Sequence, residues 1–247
     1  MILSGKTAVV TGCLQGIGRA TLDVFAQNGA NVFACCQYET EEFTNHIKEL
    51  SKETGVEIFE IYFDLMDDES IKQAAREIQK SKRTIDILVN IAGMTKDALF
   101  QMVTMDQLKT VFQVNYFSQI LFSQYIIKLM LRNGSGSVIN TSSISALDGN
   151  PGQLVYASSK AAVIAATKTM SAELAPKGIR VNAIAPGVID TAMTAIIPQE
   201  DMNRLMSKSN IKKVGTPIEV ANVILYLASD LSSFVTGQTI RVDGGIG

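Results

Sequence analysis

A hydroxyl, a phenol and an ammonium follow one another between Ser143 and Lys160, in the stretch S-I-S-A-L-D-G-N-P-G-Q-L-V-Y-A-S-S-K. Six tyrosines occur in the chain, and Tyr156 alone has a lysine four residues on. On a helix that spacing sets Tyr156 and Lys160 on one face, a turn apart. A phenol beside a fixed positive charge is a proton donor or acceptor with a lowered pKa. Moving it from ~10 to near 7 takes ~4 kcal/mol, and one unit charge at ~4 Å in an effective dielectric of about 20 supplies that much. Taken alone, the pair also fits two surface side chains on an ordinary helix, so the rest of the chain decides.

The single histidine narrows the choice. His46 stands in the charged, helix-patterned run E-E-F-T-N-H-I-K-E-L and is expected at the surface. A Ser-His-Asp hydrolase or a histidine-ligated metal centre would have to use it, so acid–base chemistry falls to another side chain. Cys13, Cys35 and Cys36 lack metal-ligand spacing, and no metal site is expected. A net charge of −2 exerts no pull toward nucleic acid or an anionic membrane. With 47% apolar and 19% charged residues, the 247-residue chain can bury a sizeable core. Met1 lies too close to the first strand-like run for a signal peptide, and no apolar run reaches bilayer length. A cytoplasmic, reduced protein without disulfides is expected.

The elements that must position Tyr156 alternate between two periods. The run K-T-A-V-V-T at 6–11 stops at glycine, as a buried parallel strand does. There follows T-G-C-L-Q-G-I-G-R-A, opening a helix at 17–28. Strand, glycine turn and helix in that order make a phosphate-binding unit, in which glycines admit the backbone to a diphosphate and the helix N-terminus supplies N–H donors. The spacing of Gly12, Gly16 and Gly18 differs from G-x-G-x-x-G. The next strand, 31–36, ends in Cys36 and Gln37. An acidic residue there binds ribose hydroxyls and a basic one accommodates a 2′-phosphate. Neither charge is present, and Gln15 in the glycine turn is neutral too.

Helix at 39–54, strand at 57–62 and helix at 67–82 continue the alternation. Asp64 closes its strand, within reach of an adenine or as a cap for the helix that follows. The strand 85–90 ends in N-I-A-G. A long amphipathic helical region, 104–131, carries Asn115 in its middle, where its apolar neighbours favour burial. The strand 137–141 delivers Ser142 and Ser143, the helix with Tyr156 and Lys160 runs to 176, and 180–185 is a sixth strand closed by Pro186-Gly187. Residues 188–213 lack clear periodicity and suggest a lid. A helix at 216–228 and a short strand at 239–243 complete one α/β domain, 1–247.

In combination, T-G-x-x-x-G-I-G at 11–18, N-x-A-G at 90–93, Asn115, Ser143, Tyr156-x-x-x-Lys160 and P-G at 186–187 resemble the short-chain dehydrogenase/reductase family over essentially the whole chain. Within it the sequence is most similar to 3-oxoacyl-acyl-carrier-protein reductases, through G-N-P-G-Q at 149–153, K-G-I-R-V-N-A-I-A-P-G at 177–187 and A-S-D-L-S-S-F-V-T-G-Q-T-I-R-V-D-G-G at 228–245. It departs from the usual pattern at Gln15 (arginine), Ile91 (asparagine), Val155 (asparagine) and Ala192 (acidic).

The resemblance implies a Rossmann-type, doubly wound, seven-stranded parallel sheet with helices on both faces. It implies that Tyr156 exchanges a proton with the substrate oxygen, Ser143 holds that oxygen, Lys160 holds the nicotinamide ribose and Asn115 positions water. The dinucleotide would lie along Gly12, Leu14, Gln15, Gly16, Ile17 and Gly18. It would continue past Cys36, Gln37, Asp64 and Leu65, then Asn90, Ala92 and Gly93, to Pro186, Gly187, Ile189 and Thr191. NADP(H) is the expected cofactor, with NAD(H) as the alternative. Gln153, Leu154 and Val155 are candidates to touch substrate, and Arg132 and Lys177 to meet an acidic carrier protein. The implied substrate is a 3-oxoacyl thioester, and the implied assembly is a homotetramer with 104–131 and 156–176 as interface helices. A dehydrogenase of sugars, polyols or other secondary alcohols is the alternative enzyme, and a non-catalytic dinucleotide-binding sensor or scaffold the alternative outside enzymes.

Overall fold

Seven runs of apolar residues form one parallel sheet in the computed structural model, which describes residues 1–195 and 199–246. The strands are β1 (Thr7–Thr11), β2 (Asn31–Cys36), β3 (Ile58–Tyr62), β4 (Ile87–Asn90), β5 (Gly136–Thr141), β6 (Ile179–Pro186) and β7 (Thr239–Val242). Their order is β3-β2-β1-β4-β5-β6-β7. Every residue of β1 and β4 is buried, as helices on both faces of a parallel sheet require. The chain reverses its direction of winding between β1 and β4. In such a sheet that reversal opens a crevice at the carboxyl ends of the two strands.

Helices α1 (Gly16–Gln27), α2 (Glu41–Thr54) and α9 (Pro217–Ala228) cover one face. Leu22, Phe25, Phe43, Ile47, Val220 and Ile224 pack there against Val10, Val32 and Ile184. The other face carries α3 (Asp68–Lys80), α5 (Ser118–Asn133) and α7 (Leu154–Leu174). Its core joins Ile71, Ile78, Phe122 and Ile126 to Val9, Leu88 and Val181. Each fully buried Leu, Ile or Phe of this kind contributes about 1.5–3 kcal/mol by leaving water.

One expectation is corrected and three regions gain detail. The helical region around Asn115 is not one continuous α-helix: α4 (Met105–Phe112) and α5 are joined by a turn of π-helix at Gln113–Phe117. The turn after β5 holds a short helix, α6 (Ser145–Asp148), that no periodicity announced. The expected lid at 188–213 lies partly outside the described residues, and its described part contains helix α8 (Gln199–Lys208). His46 is half-buried rather than exposed, with Nε2 2.6 Å from Asp23 Oδ1, and so ties α2 to α1. Among the described residues no helix is long and apolar enough to cross a membrane, and no group of acidic, Cys or His side chains could hold a metal.

Candidate active site

The glycine turn between β1 and α1 adopts a conformation that side chains would block. Gly12 and Gly16 have φ of 77° and 57°. A Cβ on Gly12 would sit 3.0 Å from the Ala92 nitrogen, and one on Gly18 would sit 2.0 Å from the Gly12 carbonyl oxygen. The third glycine therefore lets the helix approach the strand, while the first keeps the turn open toward β4. Gln15, at the N-cap of α1, makes no side-chain cap, so the first amides of that helix keep their donors free for an anion. Arg19 braces the turn from behind: Nη2 donates to the Leu14 carbonyl at 3.1 Å, and the guanidinium lies 4.9 Å over the Phe43 ring.

Thr11 fixes the turn after β4. Its hydroxyl oxygen accepts from the amides of Ile91 and Ala92 at 3.0 and 3.1 Å. Gly93 follows, where a Cβ would meet Asn115 Oδ1 at 3.2 Å and Lys160 Nζ at 3.3 Å. Only glycine lets those two side chains close over the loop. Asn115 is buried in the π turn and fully engaged. Its Nδ2 donates to the Met94 carbonyl at 2.9 Å and to Ser159 Oγ at 3.0 Å, and its Oδ1 accepts from the Met94 amide at 2.9 Å.

Ser143 and Tyr156 line the same end of the crevice, where the serine hydroxyl lies close enough to favour the ionised phenol. Ser143 Oγ accepts from the Ser145 amide at 3.2 Å, which turns its own proton outward. Lys160 is buried one turn further into α7, with Nζ 5.9 Å from the centre of the Tyr156 ring. Its ammonium donates to the Thr141 carbonyl at 2.8 Å, and burial pulls its pKa down to about 8. The expected lowering of the phenol is reversed: burial raises the pKa of Tyr156, the Ser143 hydroxyl opposes this, and the charge of Asp97 raises it further. At 5.9 Å from the ring centre, Lys160 is too far to offset the desolvation of a group set into the protein. Such a phenol keeps its proton and is suited to giving it up to a developing alkoxide.

A cavity of about 600 Å³ runs from Gly12 past Cys36 and Asp64 to Ser143, Tyr156 and Thr194. Its size is within the range of small-molecule and cofactor sites. With the free amides of α1 at one end and a buried, unneutralised ammonium at the other, its lining fits an extended dinucleotide.

Residues 12–247 match the family described as enoyl-(acyl carrier protein) reductase. The 3-oxoacyl-[acyl-carrier-protein] reductase FabG of Thermotoga maritima is 41% identical over 246 residues, which span 100% of this chain and 99% of the relative. The FabG of Aquifex aeolicus is 37% identical over 244 residues, 99% and 98% of the two chains. The chain belongs to the short-chain dehydrogenase/reductase family. Two solved structures are similar throughout. A 3-oxoacyl-[acyl-carrier protein] reductase of Brucella melitensis aligns with a TM-score of 0.91 at 31% identity, covering 99% of this chain and 92% of the other. A Beutenbergia cavernae protein described as an NAD(P)-dependent gluconate 5-dehydrogenase, with bound NADP, aligns with a TM-score of 0.90 at 33% identity, covering 98% and 96%.

Most residues singled out for the dinucleotide line the short-chain reductase cavity, from Gly12, Leu14, Gln15, Gly16 and Ile17 through Cys36 and Gln37 to Ile189 and Thr191. Two do not. Gly18 faces Gly12, and the Asn90 amide turns away to donate to Ser123 and Asn140 at 2.9 Å each. Asp64 lines the cavity and caps its own turn, accepting from the Met66 amide at 2.8 Å; the cap of α3 is Asp67. Burial pushes the Cys36 thiol up to about 12, so it is an inert wall.

Of the substrate candidates, Leu154 is exposed beside Tyr156, whereas Val155 is buried and packs inward. Arg132 and Lys177 stand at the other end of the sheet. Each precedes a glycine, Gly134 or Gly178, that abuts the amino end of β5 or β6, and the amide of Gly136 donates to the Gly178 carbonyl at 3.2 Å. A six-residue strand separates that edge from Ser143, roughly 20 Å. Thr141, Met94 and Asp97 were not singled out from the sequence, and Thr11 stood there only as the first residue of the glycine motif. The only signal they gave was their place at a strand's carboxyl end or in the loop that follows it.

Proposed function

We propose that the chain reduces 3-oxoacyl thioesters to 3-hydroxyacyl thioesters with a nicotinamide dinucleotide. The observation that carries this is the pair of hydroxyls, Ser143 and Tyr156, lining the dinucleotide-sized cavity together with an apolar rim of Met94 and Met193. Such a rim suits an acyl chain better than a sugar, whose hydroxyls need partners. When bound, the dinucleotide supplies a hydride to the carbonyl carbon. Ser143 donates to the carbonyl oxygen and fixes its position. As the C=O π bond opens, Tyr156 gives its proton to that oxygen, so one C–H and one O–H bond form. Lys160 holds ribose hydroxyls near the reacting centre, and Asn115 orders the loop and the water that returns a proton to Tyr156.

NADP(H) is the first cofactor of this reading and NAD(H) the second. No acid at Cys36, Gln37 or Tyr38 repels a 2′-phosphate, and the amides of Gln15 and Gln37 can donate to one. An acyl-carrier protein is the thioester's natural bearer in the FabG relatives' names. Arg132 and Lys177 of the same chain do not reach its own cavity mouth. The reading places the enzyme in the cytoplasm as a homotetramer.

The test is oxidation of NADPH and NADH with acetoacetyl thioesters of carrier protein and coenzyme A, beside simple ketones and keto sugars. Turnover specific to thioesters is expected. The Beutenbergia similarity gives the sugar-dehydrogenase alternative its footing, and turnover on keto sugars alone would replace the first reading with it.

A further inference from the structure

A polar network spans the mouth of the site and ends in a carboxylate that the mechanism above does not use. Gln153 occupies the N-cap of α7, three residues before Tyr156, yet its side chain makes no cap. Its amide instead reaches two other segments. Nε2 donates to Asp97 Oδ2 at 3.0 Å, on the loop after β4, while Oε1 accepts from Ser145 Oγ at 2.7 Å and from Asn150 Nδ2 at 3.0 Å. The other oxygen of Asp97 accepts from the Thr95 hydroxyl. Alongside, the Ala98 amide donates to the Gly152 carbonyl at 2.8 Å, so the two loops are also stitched through the backbone.

The direction of every bond follows from one fact: an ionised carboxylate only accepts. Asp97 must therefore face the NH2 of Gln153, the amide oxygen must face α6, and the Ser145 hydroxyl must point at it. The Ser145 amide in turn donates to Ser143 Oγ. We infer that Asp97 is a positioning residue for the reaction, acting through Gln153 to clamp the Ser143 turn to the first turn of the helix that carries Tyr156. The inference rests on the reading of Ser143 and Tyr156 as the reacting pair. The two residues stand on elements joined through the loop Gly149 to Gly152, and the clamp closes that loop's span from outside. Asp97 has a second, separable effect. Around the phenol stand Lys160 of its own helix, Ser143 after β5 and Asp97 after β4, and the charge of Asp97 favours the protonated phenol.

The two effects part under substitution. Asp97→Asn keeps an acceptor for Gln153 but loses the charge: kcat stays within about threefold of wild type, while the Tyr156 phenol titrates at lower pH. Asp97→Ala loses both, and kcat falls about tenfold to a hundredfold at unchanged KM for the dinucleotide, the scale of a small misplacement of reacting groups. Gln153→Glu sets two carboxylates against each other and is expected to be worse. Asp97→Asn added to Gln153→Glu restores a donor facing an acceptor and recovers most of the activity. The phenol is followed by tyrosinate absorbance of the ligand-free protein, with Tyr156→Phe in the same background subtracted, and the Ser145 and Ala157 amides by hydrogen exchange, which speeds up in Asp97→Ala at matched Tm. Wild-type kcat in Asp97→Ala, or a double variant no better than Gln153→Glu, overturns the clamp. If wild-type protein leaves acetoacetyl thioesters untouched, the substrate reading fails while titration and exchange still judge the clamp.

Discussion

Lys160 carries its charge into the protein with a backbone carbonyl as partner, and burial lowers its pKa to about 8. An unfolded lysine holds its proton to about 10.4. Between those values the folded protein has released a proton that the unfolded chain keeps, so stability from this group rises with pH across that window and is lowest below it. At pH 7 the buried ammonium costs roughly 3 kcal/mol on the scale of 1.36 kcal/mol per pKa unit. Lys160→Met should therefore be more stable than wild type to denaturant at pH 7, with the gap narrowing toward pH 10, and inactive at both. A constant gap would show that the cost is steric. Tyr156→Phe separates proton transfer from binding. It leaves the ring and removes the raised phenol, so turnover should fall at least a thousandfold, toward the limit of general-acid contributions, while dinucleotide titration by fluorescence is unchanged.

The π turn at Gln113–Phe117 does for the elements what the clamp does for the mouth. One extra residue in the turn redirects Asn115 from the helix surface to the Met94 backbone, which it pairs on both sides. Asn115→Leu leaves the Met94 amide without its acceptor inside the protein, a cost of about 1–3 kcal/mol. A Tm lower by several degrees is expected, at about 2–4 °C per kcal/mol for a chain of this size, together with a loss of turnover. Calorimetry and a thioester assay on one preparation check both. The sequence signalled that Asn115 was buried and partnered, but not the π geometry, because that depends on a bond to a loop twenty-one residues away. Strands were legible for the opposite reason: covered on both faces, they read as unbroken apolar runs. Even so, Ile85 is buried and packs under the sheet while β4 pairs only from Ile87. Helix α8 escaped notice because Q-E-D-M-N-R-L-M-S-K has too few apolar residues to show a period. Asp97 gives no signal in the sequence, because its bond to Gln153 joins residues fifty-six positions apart.

At the scale of the molecule, exposed apolar side chains of the described residues gather in several places, two of them on helices of opposite faces of the sheet. One gathers Phe117 beside α5 with the small exposed residues Ala161 and Ala165 of α7. The other, around α9 and the turn that follows it, exposes Ile218, Leu231 and the whole of Phe234. Scattered apolar side chains on a monomer carry no message, but clustered ones mark interfaces. Surfaces that each pair with their own copy close into four subunits related by perpendicular two-folds, the assembly proposed above. The α7 surface is the better built for close approach, since alanines let helix backbones come near one another. A homotetramer is therefore expected by size exclusion with light scattering. Phe234→Glu should open only the second surface and yield dimers that keep the α5–α7 contact and full dinucleotide binding. A wild-type monomer at micromolar concentration would remove the tetramer. Tetramers persisting in Phe234→Glu would assign the second interface to residues other than this one.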